Sequence, residues 1–386
     1  MNVNPYPYYS VTKPDPFIGK IIFNKYGILE KIGGGSFGSI YKAVYGNKFY
    51  AVKFEKKQKE EYQQTIINEA YCMKYLKGPF VPYVKMYGDT NTHFFLVMEL
   101  MGKSLEDLFN ENRRKFSIRC VCNIGYQMIE ILEFIHNKNV IHQDMKPDNF
   151  VIGLNDKRKY IYLLDFGLAR SYKSPKTNKH YPLEKYNHLV GTSRYASINA
   201  MVAYTQSRRD DLESIGYIFI YFLKGKLPWQ GIPAKTKDEK YRKIKDKKQQ
   251  TSAEELCDYL PGQFADYINY TRNLEYEQDP DYNYLKNLLV RVLNLYGYSI
   301  DCYYDWDTDT IKYNRSNYIY KQNKQNINDI GKSSLKNNSN LGKINKAETM
   351  DTNQNNNIYF NSNTIKRELN INYKRPSKNC ECCLIY

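Results

Sequence analysis

A chain of 386 residues holds one two-lobed domain with an appendage, or two ordinary domains, and 42% hydrophobic residues are too many for disorder throughout. The formal charge of +16 suits an anionic partner such as phosphate, acidic peptide, a membrane surface or nucleic acid, but a sequence crowded with Lys, Asn, Tyr and Ile gains positive charge by compositional drift as well. Charge therefore selects no chemistry, whereas a membrane-spanning helix is excluded: the longest apolar run, Ile215–Leu223, is far short of the ~20 residues needed.

Residues 1–25 carry Pro5, Pro7, Pro14 and Pro16 and read as a flexible leader. Short β-branched and aromatic runs follow at Gly27–Ile32, Ser39–Tyr45 and Lys48–Phe54, with glycine at their joints, as an antiparallel meander requires. Tyr62–Leu76 then predicts a helix, and two further strand-like runs end at Leu100. From about Ser117 the pattern turns helical: Ile118, Val121, Cys122, Gly125, Met128, Leu132 and Ile135 recur at a spacing that gives one buried face. A small β-rich lobe over about 26–100 and a larger helical lobe over about 101–308 are the expected architecture. Cys72, Cys120, Cys122, Cys257 and Cys302 are scattered through apolar segments and Met1–Ser10 is no signal peptide, so a reducing, intracellular location is expected.

Four motifs carry chemistry. Gly33-x-Gly35-x-x-Gly38 is weak evidence alone, because glycine-rich hairpins are common. A dinucleotide fingerprint leads from strand into helix, but here Ser39-Ile40-Tyr41 continues as strand, so the hairpin suits triphosphate oxygens approached by bare backbone. Lys53, in Ala51-Val52-Lys53, is an ammonium among apolar neighbours, and Glu69 on the next helix is its natural partner, with Glu60 and Glu61 as competitors. The segment His142-Gln143-Asp144-Met145-Lys146-Pro147-Asp148-Asn149 is far more specific. Transfer of a phosphoryl group to a hydroxyl needs a carboxylate to accept the proton, an oxygen ligand for magnesium and a cation for the γ-phosphate. Asp144, Asn149 and Lys146 supply these in one loop. Asp165-Phe166-Gly167 follows the apolar run Ile161–Leu164 and adds a second magnesium ligand, Asp165, with Phe166 packing beneath the small lobe's helix. Asp211, opening an apolar helix, is read as structural support for the loop around Asp144.

These motifs are those of protein kinases, and the details resemble the casein kinase 1 family. An Ala-Pro-Glu motif is usual after the activation segment, but this chain has Gly191-Thr192-Ser193-Arg194-Tyr195-Ala196-Ser197-Ile198-Asn199, with the Ser-Ile-Asn of that family. Gln206–Ser214, Leu227-Pro228-Trp229-Gln230-Gly231 and Met98–Phe109 look like its signatures as well, so the resemblance runs from about Tyr26 to Asp307. It implies an α+β bilobal kinase fold, with a small antiparallel β-sheet lobe bearing one helix and a larger, mainly helical lobe. It also implies a monomeric Ser/Thr kinase using ATP and Mg2+, acting on proteins with acidic or phosphorylated residues upstream of the acceptor. Ile32, Gly33, Gly35, Ser36, Gly38, Ile40, Ala51 and Lys53 would line the nucleotide site with Met98, Glu99 and Met101 of the hinge. Arg194, Gly231 and Lys240 stand where the family binds the substrate's anion, although Lys240, in the Lys-rich stretch Lys235–Lys248, reads nearly as well as an ordinary surface lysine, and a nuclear-import or nucleic-acid patch is a lesser reading of that stretch. No recognised nucleic-acid-binding module accompanies that patch. Two departures stand out: Gln143 replaces the usual Arg and Asn187 a usual Lys, which together weaken a second anion site, and Gln143 alone leaves room for the alternative of a pseudokinase scaffold.

From Asp309 onward the chain is rich in Asn, Lys, Ser and Thr, with 13 Lys and Arg against 6 Asp and Glu, and reads as a disordered tail over 309–386. Ser333, Ser334, Ser339, Thr349 and Ser362 are candidates for dampening autophosphorylation. Cys380, Cys382 and Cys383 cluster beside Lys374, Arg375 and Lys378 at the end. Cys383-Leu384-Ile385-Tyr386 fits a prenylation box with an unusual last residue, and Cys382 and Cys383 are also candidates for acylation, so attachment to a membrane is one expectation and free thiols the other.

Overall fold

The computed structural model describes residues 15–35, 38–57 and 65–307. The small lobe is one antiparallel sheet built from β1 (Ile21–Ile22), β2 (Tyr26–Gly35), β3 (Gly38–Tyr45) and β4 (Lys48–Lys56), then helix α1 (Thr65–Leu76), β5 (Val84–Asp89) and β6 (His93–Glu99). Strand order is β1-β2-β3-β4-β6-β5. Side chains alternate across a strand, and β4 shows both faces covered. Val52 and Phe54 join Tyr26, Ile28, Tyr41, Phe95 and Val97 in an outer cluster, whereas Ala51 belongs to the main core with α1's Ile66, Ala70, Met73 and Leu76.

The flexible leader expected through residue 25 is too long. From Asp15 the chain lies against the outer face of the sheet: Phe17 stacks on Phe54 with ring centroids 4.1 Å apart, and Asp15 accepts from the Tyr41 hydroxyl at 2.9 Å. Ile21 and Ile22 pair with Gly27 and Tyr26 as a short edge strand. The apolar outer cluster needed a cover, and Phe17, Ile22 and Phe23 supply it.

The large lobe begins with α2 (Leu105–Glu111) and α3 (Ile118–His136), followed by β7 (Val140–Ile141), β8 (Phe150–Ile152), β9 (Ile161–Leu163) and β10 (Arg170–Ser171). It continues through α4 (Ile198–Met201), α5 (Arg208–Lys224), α6 (Lys237–Gln250), α7 (Ala253–Leu256), α8 (Gly262–Asn273) and α9 (Tyr282–Leu295). β7 pairs with β10 and β8 with β9, each antiparallel. The single buried face expected of α3 is incomplete: Cys120, Ile124, Ile129 and Ile131 are buried too, because α5, α9, β7 and β9 pack around it. Among the described residues no helix is long and apolar enough to cross a membrane.

Candidate active site

Strand alternation turns Lys53 to the inner face of β4, while the 3.6-residue period of α1 puts Glu69 on the face that meets the sheet. The Lys53 ammonium donates to Glu69 Oε2 at 2.7 Å and to Asp165 Oδ1 at 3.0 Å, with Lys53 and Glu69 both buried. Burial works against the charge on Lys53, but Glu69 and then Asp165 hold its pKa above the ordinary lysine value. Asp165 shows the converse: burial pushes its carboxyl up, yet Lys53, and more weakly Lys146, hold it below the usual range. Its backbone is left-handed at φ 63°, which a short polar residue tolerates and which ends the extended run of β9. Phe166, next along, is fully buried beside α1 and meets the His142 ring edge-on at 5.0 Å. Glu60 and Glu61, the competing partners for Lys53, lie outside the described residues.

The segment after β7 forms the opposite wall. Asp144 is buried, accepts from Lys146 Nζ at 2.6 Å on Oδ2 and from the Thr192 hydroxyl at 2.6 Å on Oδ1. Asn149 gives its side-chain amide N–H to the Asp144 carbonyl at 2.8 Å, which fixes the amide, and its Oδ1 takes no hydrogen bond among the described residues. Asp211 in the first turn of α5 carries this loop, accepting from His142 N at 2.8 Å and Gln143 N at 2.9 Å. Ser207 holds the N-cap position of that helix, where its backbone N–H donates to Asp210 at 2.7 Å, so Asp211 is spared for the loop. The Asp144 N–H donates to His142 Nδ1, leaving Nε2–H to donate to the Leu164 carbonyl at 2.9 Å. Leu164 N in turn donates to the Asn149 carbonyl at 2.8 Å, so the two walls are tied at Leu164, the residue just before Asp165.

The hairpin of β2 and β3 closes at Gly35 opposite Gly38, and a side chain at Gly38 is excluded: φ is +120° and a Cβ would stand 2.0 Å from the Phe54 carbonyl oxygen. Ile40 pairs with Gly33 on one side and Lys53 on the other, and Ala51 pairs with Met98, so the glycine hairpin, lysine strand and hinge share one register. Ala51 and Met98 are buried, Ile32 is exposed and Met101 half-buried. The Glu99 carboxylate is engaged by Lys157 at 2.7 Å, and its backbone N–H donates to the Tyr83 carbonyl at 2.9 Å. Ser36, Cys382 and Cys383 lie outside the described residues.

A third group lies downstream. Gly191 has φ +96°, and a Cβ there would reach 2.3 Å from the Gln143 carbonyl oxygen, so only glycine lets this segment cross the Asp144 loop and deliver Thr192. In the sequence Thr192 stands only as one residue of the Gly191–Asn199 signature, and nothing there announces its bond to Asp144. Arg194 is exposed, and Trp229 Nε1 donates to its carbonyl at 2.7 Å, which draws the turn holding Gly231 (φ +75°) beside it. Lys240 is exposed on α6 and, among the described residues, its ammonium makes no hydrogen bond or ion pair. The Lys235–Lys248 stretch is not wholly surface, however. Lys248 is fully buried and its ammonium donates to the Ala196 carbonyl, contrary to the expected solvated run.

The residues present fit magnesium. Asn149 Oδ1 and the Asp165 carboxylate are hard oxygen donors, and a magnesium ion commonly takes one or two protein carboxylates and completes its shell with phosphate and water. Among the described residues no cluster of three or more His, Cys, Asp or Glu forms an all-protein cage.

A curled antiparallel small lobe over a helical lobe, with a buried Lys–Glu pair facing an Asp-Lys-Asn loop, defines an ATP-dependent phosphotransferase. The family model for the protein kinase domain matches residues 26–294, and the chain belongs to that family. Its substrates are therefore proteins, and it uses ATP with a divalent metal.

Proposed function

We propose that this kinase transfers phosphate to Ser and Thr hydroxyls and is of the casein kinase 1 type, preferring acceptors with acidic or already phosphorylated residues upstream. Asp144 orients the acceptor hydroxyl and takes its proton; the Thr192 hydroxyl, donating to Asp144 Oδ1 at 2.6 Å, makes the same kind of bond. Lys146 and the Lys53–Glu69 pair bring ammonium groups to the phosphates, in a partly buried setting where such charges act strongly. Magnesium held by Asn149 and Asp165 would neutralise charge on the β- and γ-phosphates.

One observation carries the substrate preference: Arg194 is exposed only two residues beyond the Thr192 that touches Asp144, and forms no ion pair among the described residues. A guanidinium there can take a phosphate or carboxylate on a bound peptide in bidentate fashion, with Gly231 and Lys240 as further members of that site. Gln143 contributes through its backbone, at φ +69° with its N–H to Asp211, so replacing the usual arginine leaves the loop's support in place and gives the scaffold alternative little footing.

The test is labelled ATP with two peptides, one bearing phosphoserine upstream of the acceptor and one without it. Faster labelling of the phosphopeptide, and a loss of about 10²–10⁴-fold in Asp144→Asn, are the expected results. Equal rates would remove the anion preference, and no incorporation into either peptide would favour the scaffold. Lipid attachment at Cys382 and Cys383 is a separate part of the proposal, checked by fractionating the Cys382→Ser/Cys383→Ser variant against wild type; the same membrane partition for both overturns it.

A further inference from the structure

Lys248 has no role in the site described so far, and its surroundings are specific. Its ammonium lies 4.9 Å from the centre of the Tyr217 ring and 4.8 Å from that of Trp229, and donates to the Ala196 carbonyl. A methionine would fill the same space without the several kcal/mol that burying an ammonium costs. What a methionine lacks is the N–H directed at that carbonyl.

The segment receiving this bond is held at successive points by different elements. Trp229 Nε1 donates to the Arg194 carbonyl at 2.7 Å, Glu213 of α5 accepts from Ile198 N at 2.9 Å, and Asp210 accepts from the Ser197 hydroxyl at 2.5 Å. Tyr195 N and Ala196 N both donate to the Thr192 carbonyl at 3.0 Å, so residues 192–196 form one tight turn. Thr192 at its front reaches Asp144, and Arg194 stands exposed on its crest. A displacement of the Ala196 carbonyl is therefore felt at Arg194, two residues earlier in the same turn, whose guanidinium lies over the Tyr195 ring at 5.7 Å.

We propose that Lys248 is a positioning residue for the acceptor peptide: its buried ammonium, reaching from α6 to the Ala196 carbonyl, fixes the Thr192–Ser197 turn and thereby sets where Arg194 meets the substrate. Lys248 itself touches neither peptide nor nucleotide. The inference rests on reading that turn as the lip where the acceptor docks, and the nucleotide side, around Lys53 and the hinge, belongs to other elements.

The test uses the full chain, wild type against Lys248→Met, with steady-state kinetics for ATP and for the phosphorylated and plain peptides. The expected result is a rise of about tenfold in KM for peptide, with KM for ATP within about twofold of wild type. An unchanged peptide KM, or equal increases for ATP and peptide with a parallel fall in kcat, overturns the proposal, because the first means no positioning and the second means general loosening. Should Lys248→Met fail to fold, Trp229→Phe decides: it removes the neighbouring bond to the Arg194 carbonyl but keeps an aromatic ring beside Lys248. A raised peptide KM there supports the pinned turn, and an unchanged one overturns it. Wild type's own ratio between the two peptides reports separately on the anion preference; if that ratio is one, the plain peptide still tests Lys248.

Discussion

Two lysines are buried among the described residues, one in each lobe, and they are held in opposite ways. Lys53 on β4 meets two carboxylates, Glu69 and Asp165, at 2.7 and 3.0 Å, and its pKa is raised despite burial. Lys248 on α6 meets a backbone carbonyl and two aromatic faces, and burial draws its pKa down to about 7, with Glu213 opposing and Arg272 adding to the fall. Burial alone therefore does not decide charge; the partners do. Lys53 is a fixed cation, and the proposed function sets it against the phosphates. Lys248 needs only an N–H to point at Ala196, and an amine donates in either protonation state.

The largest break in this contrast comes from removing the fixed cation. Lys53→Met is expected to lower kcat by about 10²-fold or more, as the loss of one preorganised charge at a reacting phosphate does, and to destabilise the small lobe by about 3–5 kcal/mol through the stranded Glu69 carboxylate. Single-turnover kinetics and a urea titration read the two effects separately. A kcat near wild type would mean that Lys53 is only a structural ion pair. Glu69→Gln sharpens the point. Lys53 then keeps Asp165 alone, so the expected loss is smaller, about 1–3 kcal/mol of stability with a reduced kcat.

How far these two lysines could be read from sequence follows from their roles. The meeting of Lys53, Glu69 and Asp165 was legible because strand and helix periods turn them to one place, whereas the parts proposed for Asp144, Lys146 and Asn149 rest on phosphoryl transfer demanding few residue types in a fixed order. The alternation of β4 and the paired small-lobe strands were legible for the same local reason. Lys248 was not, since a lysine in a run of lysines reads as solvated surface. One signal was available: Ile244 and Lys248 are four apart, and they are the two buried residues of α6. The docking of Asp15 and Phe17 was hidden differently, because it depends on an apolar sheet face assembled from residues far along the chain, and proline spacing carries no information about that face. The encirclement of α3 was likewise set by α5 and α9, which its own periodicity cannot announce.

A middle-sized test concerns pH. The folded-state pKa of Lys248, about 7, is below the ordinary lysine value of 10.5, so between those limits the unfolded chain binds more protons than the folded one and stability rises with pH. Relative to Lys248→Met, wild type should therefore gain about 2 kcal/mol between pH 7 and pH 9, measured as the difference in unfolding free energy from urea titrations at each pH. The comparison would break if wild type and variant ran parallel across that range, for Lys248 would then keep its charge folded as Lys53 does.

The smallest expected effect isolates the partner that most resembles those of Lys53. Among the described residues, Glu213 and Tyr217 from α5 and Arg272 from α8 are the titratable groups around Lys248, and Glu213 is the carboxylate whose charge favours the ammonium. Glu213→Gln keeps an oxygen for the Ile198 N–H, which it accepts at 2.9 Å, while removing the negative charge. The pH at which stability begins to climb should then move downward, because the neutral amine is favoured further once its one electrostatic support is gone. The same curve measured in Glu213→Gln/Lys248→Met should be flat over that interval, since the titrating amine is absent. If the single variant instead moved the rise upward, Arg272 and the ring faces rather than Glu213 would be setting the charge of Lys248, and the rule that nearby carboxylates separate the two buried lysines would fail for the large lobe.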